Sequence, residues 1–178
     1  MKLFGKHISN QAILATMATI VSVCALAVSL MQTYYQHKYL HAAAWPHLQA
    51  TAHFNEEADS TKSSLIIKLM NKGVGPAIIE SVTYTYKGKK INSVEDLIQT
   101  IIGKKFSGEY KSIGNGQVMA QNEEFNHIGI MSMKSAKLFR NGLNFVKMRI
   151  VYSSVHDQKW EYIYDPELPN GSITNKLN

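Results

Sequence analysis

Residues 12–31 form an unbroken run without a charged side chain. As a helix rising about 1.5 Å per residue, twenty such residues cover roughly 30 Å, the depth of a bilayer's hydrocarbon core. The run therefore reads as a transmembrane helix over residues 12–33, preceded by a short N-terminal segment, 1–11. A secretory signal is the competing reading, and it fits poorly. Its apolar region would span only about 7–15 residues and end at a small-x-small site. Cleavage at Ala25-Leu26-Ala27 would cut through sequence that stays apolar to Met31, and Ala42-Ala43-Ala44 lies far beyond the apolar end. Val23 before Cys24 does not suit a lipoprotein site. An uncleaved signal-anchor is the expectation.

The flanks give the orientation. Lys2, Lys6 and the terminal amine precede the span, whereas Lys38 is the nearest positive charge after it. The positive-inside rule then puts the N-terminus in the cytoplasm and the remainder across the membrane. Tyr34, Tyr35 and Tyr39 suit the lipid-water interface, with packing against the domain as the alternative. Ala15, Thr19, Val23 and Ala27 recur at four-residue spacing and form a candidate helix-pairing face, for which plain lipid contact is the simpler reading. Residues 34–45 hold no glycine or proline before Pro46, so a helical juxtamembrane linker is expected to end there. His37 and His41 share one face of it, but no acidic or cysteine ligand lies nearby in sequence, and interfacial histidines are preferred to a zinc site.

Charge and cysteine content exclude several classes. Residues 1–55 hold Lys2, Lys6 and Lys38 with no acid, and so carry +3 of the net +6. What remains is spread without a basic stripe, which argues against a nucleic-acid partner. Cys24, the sole cysteine, lies in the apolar run, so the rest of the chain has no thiol for a disulfide, a thiolate metal site or a nucleophile.

Beyond Pro46 the periodicity changes to two. Leu48, Ala50, Ala52 and Phe54 alternate with His47, Gln49, Thr51 and His53, the pattern of a half-buried strand. Residues 64–70 and the β-branched, aromatic stretch 77–86 are further strands. Between them Asn71-Lys72-Gly73-Val74-Gly75-Pro76 reads as a turn. Its Gly-x-Gly lacks the third glycine and following helix of a dinucleotide loop, and the Gly-Lys-Ser/Thr of a P-loop. Ser93 as N-cap, Glu95 and Asp96 in the first turn, and Val94, Leu97, Ile98, Ile101 and Ile102 on one face predict a helix stopped by Gly103 with Lys104 and Lys105. Residues 106–116 read as a loop, 117–120 and 125–131 as short strands, and 134–140 as a helix stopped at Asn141-Gly142. Residues 143–155 and 160–164 form a hairpin about the turn at His156-Asp157. The domain is expected to end near Pro166, leaving a mobile tail, 167–178.

About seven short strands with turns between them predict a mainly β fold: an immunoglobulin-like β-sandwich over 46–166 with one or two short helices, or alternatively a small β-barrel.

Four elements resemble those of a family of uncharacterised bacterial proteins with one membrane span and a small β-rich domain. They are Trp45-Pro46-His47-Leu48, Asn71-Lys72-Gly73-Val74-Gly75-Pro76-Ala77, the Tyr86-Lys87-Gly88-Lys89 turn, and Tyr152-Ser153-Ser154-Val155 with Trp160. The resemblance runs from the anchor to about Tyr164. It implies a membrane-tethered domain in the bacterial envelope and brings no established activity. Family members often carry cysteines near the positions of Ser153 and Lys159, which this chain lacks.

Catalytic signals are weak. Ser153, Ser154, His156 and Asp157 lie too close in sequence for triad geometry, and no strained nucleophile turn is present. Glu123 and Glu124 are consecutive and would point to opposite faces of a strand. The expectation is a non-enzymatic protein without cofactor or metal: a single-pass inner-membrane protein whose periplasmic or extracellular sandwich binds or scaffolds another envelope protein, with homo-oligomers through the span. Asn71, Gly73, Gly75 and Pro76 are the candidate interaction loop, with residues 104–117 as a second. A membrane-anchored hydrolase using His127 or His156 and a membrane-acting defence effector are the alternatives.

Overall fold

A computed structural model of the chain describes residues 2–3, 6–7, 9–55, 64–103 and 106–177. The side chains of Lys2, Lys6 and His41, together with Lys104 and Lys105, lie outside the described residues. The chain divides into two units, Met1–Ala42 and Ala43–Asn178.

In the first unit α1, Asn10–Ala43, runs without a break from the apolar segment through the tyrosines. Its stretch Asn10–Leu40 is long and apolar enough to cross a membrane, and none of it is buried. The hydroxyls of Thr16, Thr19, Ser22 and Thr33 donate to carbonyls one turn back, at 2.8 to 3.0 Å, so these polar groups are satisfied within the helix.

Among the described residues of the second unit, ten strands form two antiparallel sheets. They are β1 (Leu48–Phe54), β2 (Leu65–Asn71), β3 (Ala77–Tyr86), β4 (Lys89–Ile91), β5 (Gly108–Tyr110), β6 (Val118–Met119), β7 (Glu124–Ile130), β8 (Val146–Ser153), β9 (Lys159–Tyr164) and β10 (Ser172–Leu177). One sheet has the order β1-β2-β7-β5; the other has β10-β9-β8-β3-β4, with β6 also pairing β3. The sheets do not close into a barrel, which removes that alternative and leaves a sandwich-like fold. One core joins them. Leu48, Leu65, Leu69 and Ile130 of the first sheet meet Ile79, Ile150, Tyr152 and Trp160 of the second. Each such aliphatic side chain contributes about 1.5–3 kcal/mol by leaving water.

Two helices cover the core. In α2 (Val94–Ile102) the Asp96 N–H donates to Ser93 Oγ at 3.0 Å, and Val94, Leu97 and Ile98 are the buried face. α3 (Met133–Leu143) runs past Asn141-Gly142, where the sequence signalled a stop. The reason is packing: a Cβ on the buried Gly142 would lie 2.6 Å from Ile101 Cγ2, so this glycine lets α3 approach the α2 side chains.

Two further expectations are corrected, and one short strand is added. The tail is not mobile over its length, since Ser172–Leu177 pairs in register with Lys159–Tyr164 and extends the sheet past residue 166. Residues 108–110 of the supposed loop add a strand to β7. Lys89–Ile91 turns back on β3 before α2 begins. All three segments are polar or very short, and their pairing comes from an existing strand edge rather than from an apolar alternation of their own.

Candidate functional site

The segment with the strongest turn signature is an internal clasp. Asn71 is fully buried at the end of β2. Its Nδ2 donates to the carbonyls of Gly75 (2.8 Å), Met119 (3.1 Å) and Ala120 (3.2 Å), while Oδ1 accepts from the N–H groups of Gly73 (3.0 Å) and His47 (3.1 Å). A Cβ on Gly73 would stand 2.4 Å from His47 N, and one on Gly75 would stand 2.5 Å from the Ala44 carbonyl carbon. The loop therefore lies against the backbone of residues 44–47. Asn71, Gly73 and Gly75 are buried and Pro76 is half-buried, so as a contact loop only Lys72 and Val74 present exposed side chains. This corrects the expectation that all four form an interaction surface.

β1 is an edge strand. Its ladder to β2 is fixed by Lys72 N–H donating to the His47 carbonyl (2.8 Å) and Asn55 N–H donating to the Ser64 carbonyl (2.9 Å). In an antiparallel pair this register turns the main-chain groups of the even-numbered residues 48, 50, 52 and 54 outward. Two outward N–H groups are capped from the opposite sheet: Leu48 donates to the Tyr152 hydroxyl (3.5 Å) and Ala50 to the Tyr162 hydroxyl (3.3 Å). Burial pushes Tyr152 up to about 12. The main-chain groups of Ala52 and Phe54 on this edge have no partner among the described residues.

Beside that edge lies a cavity of about 80 Å³ between the sheets, walled by β1, β2, β3, β7, β8, β9 and both short helices. Two features make it. Ala50 and Ala52 stand where the same face of β1 carries Leu48 and Phe54 on either side, leaving space. On β7 the register to β2 slips: Ile128 pairs with Ile67 and Asn126 with Lys68, so His127 is the extra residue of a bulge. It turns inward, only 3% exposed, with Nε2 at 2.9 Å from the Tyr84 hydroxyl and Nδ1 at 2.8 Å from the Lys111 carbonyl. Since a carbonyl only accepts, Nδ1 carries the proton and Nε2 accepts from Tyr84. Burial lowers the His127 pKa and raises that of Tyr84, so the pair is neutral. Among the described residues Thr51 is part of the lining, and no carboxylate, serine or cysteine is. The pair therefore orients the wall of an apolar space, with its proton-accepting nitrogen already engaged.

The remaining candidates are separate. Ser154 Oγ accepts from His156 N–H at 3.2 Å, and Ser154 N–H donates to the Gln158 carbonyl at 2.9 Å, so Ser154 builds the hairpin turn. Glu123 Oε2 accepts from Ala120 N–H at 2.7 Å. Tyr34 and Tyr35 meet edge to face at 5.7 Å, and Tyr34, Tyr35 and Tyr39 are all exposed on α1. Ala15, Thr19, Val23 and Ala27 lie on the exposed helix as well. Among the described residues no group of three or more His, Cys, Asp or Glu could hold a metal ion. Sequence reasoning singled out His127 only as an alternative base and missed Tyr84; the alanines at 50 and 52 were a legible signal of missing volume, whereas the bulge has none.

No family model, curated protein or solved structure matches the chain.

Proposed function

We propose that the protein is a single-pass, membrane-anchored binding module of the bacterial envelope, related to the uncharacterised single-span family its motifs resemble. Its N-terminus lies in the cytoplasm and its sandwich in the periplasm or outside the cell, and it binds or scaffolds another envelope protein without chemistry of its own. Tyr34, Tyr35 and Tyr39 lie at the interface. The observation that carries the reading is the β1 edge: a helix long and apolar enough to span supplies the anchor, and Ala52–Phe54 offers outward main-chain groups to which an extended partner segment can add as a strand.

Affinity purification of the full chain from gently solubilised membranes, with partners identified by mass spectrometry, tests it. Ala52→Pro removes an outward N–H without touching the ladder to β2, a change edge strands tolerate. Loss of the captured partner with an intact fold supports strand addition. Unchanged capture, or no reproducible partner, overturns it. An alkaline phosphatase reporter fused after residue 178 tests the orientation, and an inactive fusion rejects it.

A further inference from the structure

Resting on strand addition at the β1 edge, we infer that the cavity beside it is a specificity pocket for one Val, Leu or Ile side chain of the added segment. Arg140 then selects an acidic residue two places along that segment. The tyrosine caps cover the first half of the edge, Tyr152 on Leu48 and Tyr162 on Ala50, and the uncapped main chain begins at Ala52. Ala52 is also a wall of the cavity. It shares a strand face with fully buried Leu48 yet is itself exposed, so the space between the sheets opens beside the first free main-chain group of the edge. A segment paired there runs about 4.8 Å from β1, and its side chain opposite Ala52 lies on the same face, about 5 Å away between Cβ atoms. That side chain enters the gap between the sheets.

Size and polarity choose the residue. An apolar cavity of about 150 Å³ takes up benzene, with its six carbons. About 80 Å³ is roughly half of that and has room for three or four carbons, which Val, Leu and Ile match and Trp exceeds. Ile67, Leu97, Ile128, Leu143, Val146 and Met148 supply apolar wall, and the polar atoms of His127 and Tyr84 are already hydrogen-bonded. An aliphatic side chain therefore leaves no polar group of that pair stranded. The charge preference comes from the next outward residue of the edge. Arg140 places its guanidinium 4.6 Å from the centre of the Phe54 ring, and no carboxylate among the described residues pairs with it. The partner residue opposite Phe54 stands two places from the pocket residue on the same face, where a Glu or Asp carboxylate meets this cation.

The test measures fluorescence anisotropy of labelled, threonine-rich decapeptides on the full chain in nanodiscs. Each peptide carries one variable residue with a glutamate two places after it, and a second set has the reverse order, so both strand directions are covered. Val, Leu or Ile at the variable position should bind about tenfold more tightly than Ser, and Trp no better than Ser. Ala52→Leu, which fills the pocket, should remove that advantage. Leu143→Ala, which enlarges it, should extend the advantage to Phe, and either variant suffices should the other not fold. Glutamine in place of the glutamate should weaken binding about threefold on the parent chain and leave it unchanged on Arg140→Gln. Ala52→Pro should weaken every peptide. Binding that Ala52→Pro weakens but that is indifferent to the variable residue overturns the pocket and leaves strand addition standing. No binding, or binding unchanged by Ala52→Pro, overturns both. An aliphatic preference that survives both pocket variants, or a glutamate effect that survives Arg140→Gln, also overturns the assignment.

Discussion

Asn71 Oδ1 accepts the His47 N–H at 3.1 Å across 24 positions of sequence, tying the end of β2 to the residues that lead into β1. With the four other bonds of the same amide, this makes one side chain the organiser of five main-chain groups. Asn71→Ala leaves those buried groups unpaired, at about 1–3 kcal/mol for each that water cannot reach. We expect a loss of at least about 3 kcal/mol, measured as a lowered Tm of the full chain in nanodiscs.

Gly75→Ala meets the Ala44 backbone at 2.5 Å, and main chain cannot swing aside as a flexible side chain can. Destabilisation by about 2 kcal/mol or more is expected. Gly114→Ala, with nothing within 4 Å of the added Cβ, should stay within about 0.5 kcal/mol and serves as the matched control.

His127 gives the fold a dependence on pH. Burial holds its pKa below the ordinary 6.5, so as pH falls the unfolded chain takes up the proton first. The stability supplied by the neutral histidine is complete above 6.5 and is lost as pH drops from there toward the folded value. Tm should fall on acidification through this window, and His127→Gln should flatten that part of the profile. Tyr84→Phe, which leaves Nε2 without a donor, should cost about 1–3 kcal/mol at neutral pH.

Tyr162→Phe uncaps the Ala50 N–H on the β1 edge. The stability cost should be near 1 kcal/mol, but the longer free edge invites pairing between copies. Sedimentation of the variant in nanodiscs holding one chain each, against detergent at rising protein concentration, should show self-association absent from the parent chain.

Thr19 Oγ1 already donates to the Ala15 carbonyl at 2.9 Å, so helix pairing in lipid would draw on its small size rather than its hydroxyl. In a membrane dimerisation assay Thr19→Leu should weaken self-association while Thr19→Val leaves it near the parent level. Equal loss in both would assign the contact to the hydroxyl.

Elements with strong local signals were legible from the residues alone. The uncharged run became α1, the β-branched stretch 77–86 became β3 at those bounds, and Ser93 capped α2 as its spacing required. β8, within the predicted stretch 143–155, buries Val146, Met148 and Ile150 between exposed Lys147 and Arg149. Elements defined by a neighbour were not legible. β10 depends on β9, β5 on β7, and Gly142 stays inside α3, where Ile101 fills the space a Cβ would take. The cavity follows the same division: Ala50 and Ala52 announce missing volume, but a one-residue slip at His127 arises from pairing between strands and leaves no mark in composition.

Because the Ala44 carbonyl fills the room a Gly75 side chain would need, residues 44–47 are masonry of the folded head rather than slack leading to it. An excised soluble fragment must begin before Ala44. Starting at Leu48 would remove both the His47 N–H that Asn71 Oδ1 accepts and the Trp45 carbonyl that accepts from Val74 and Gly75, so a cut there would release a weakened head rather than an intact one.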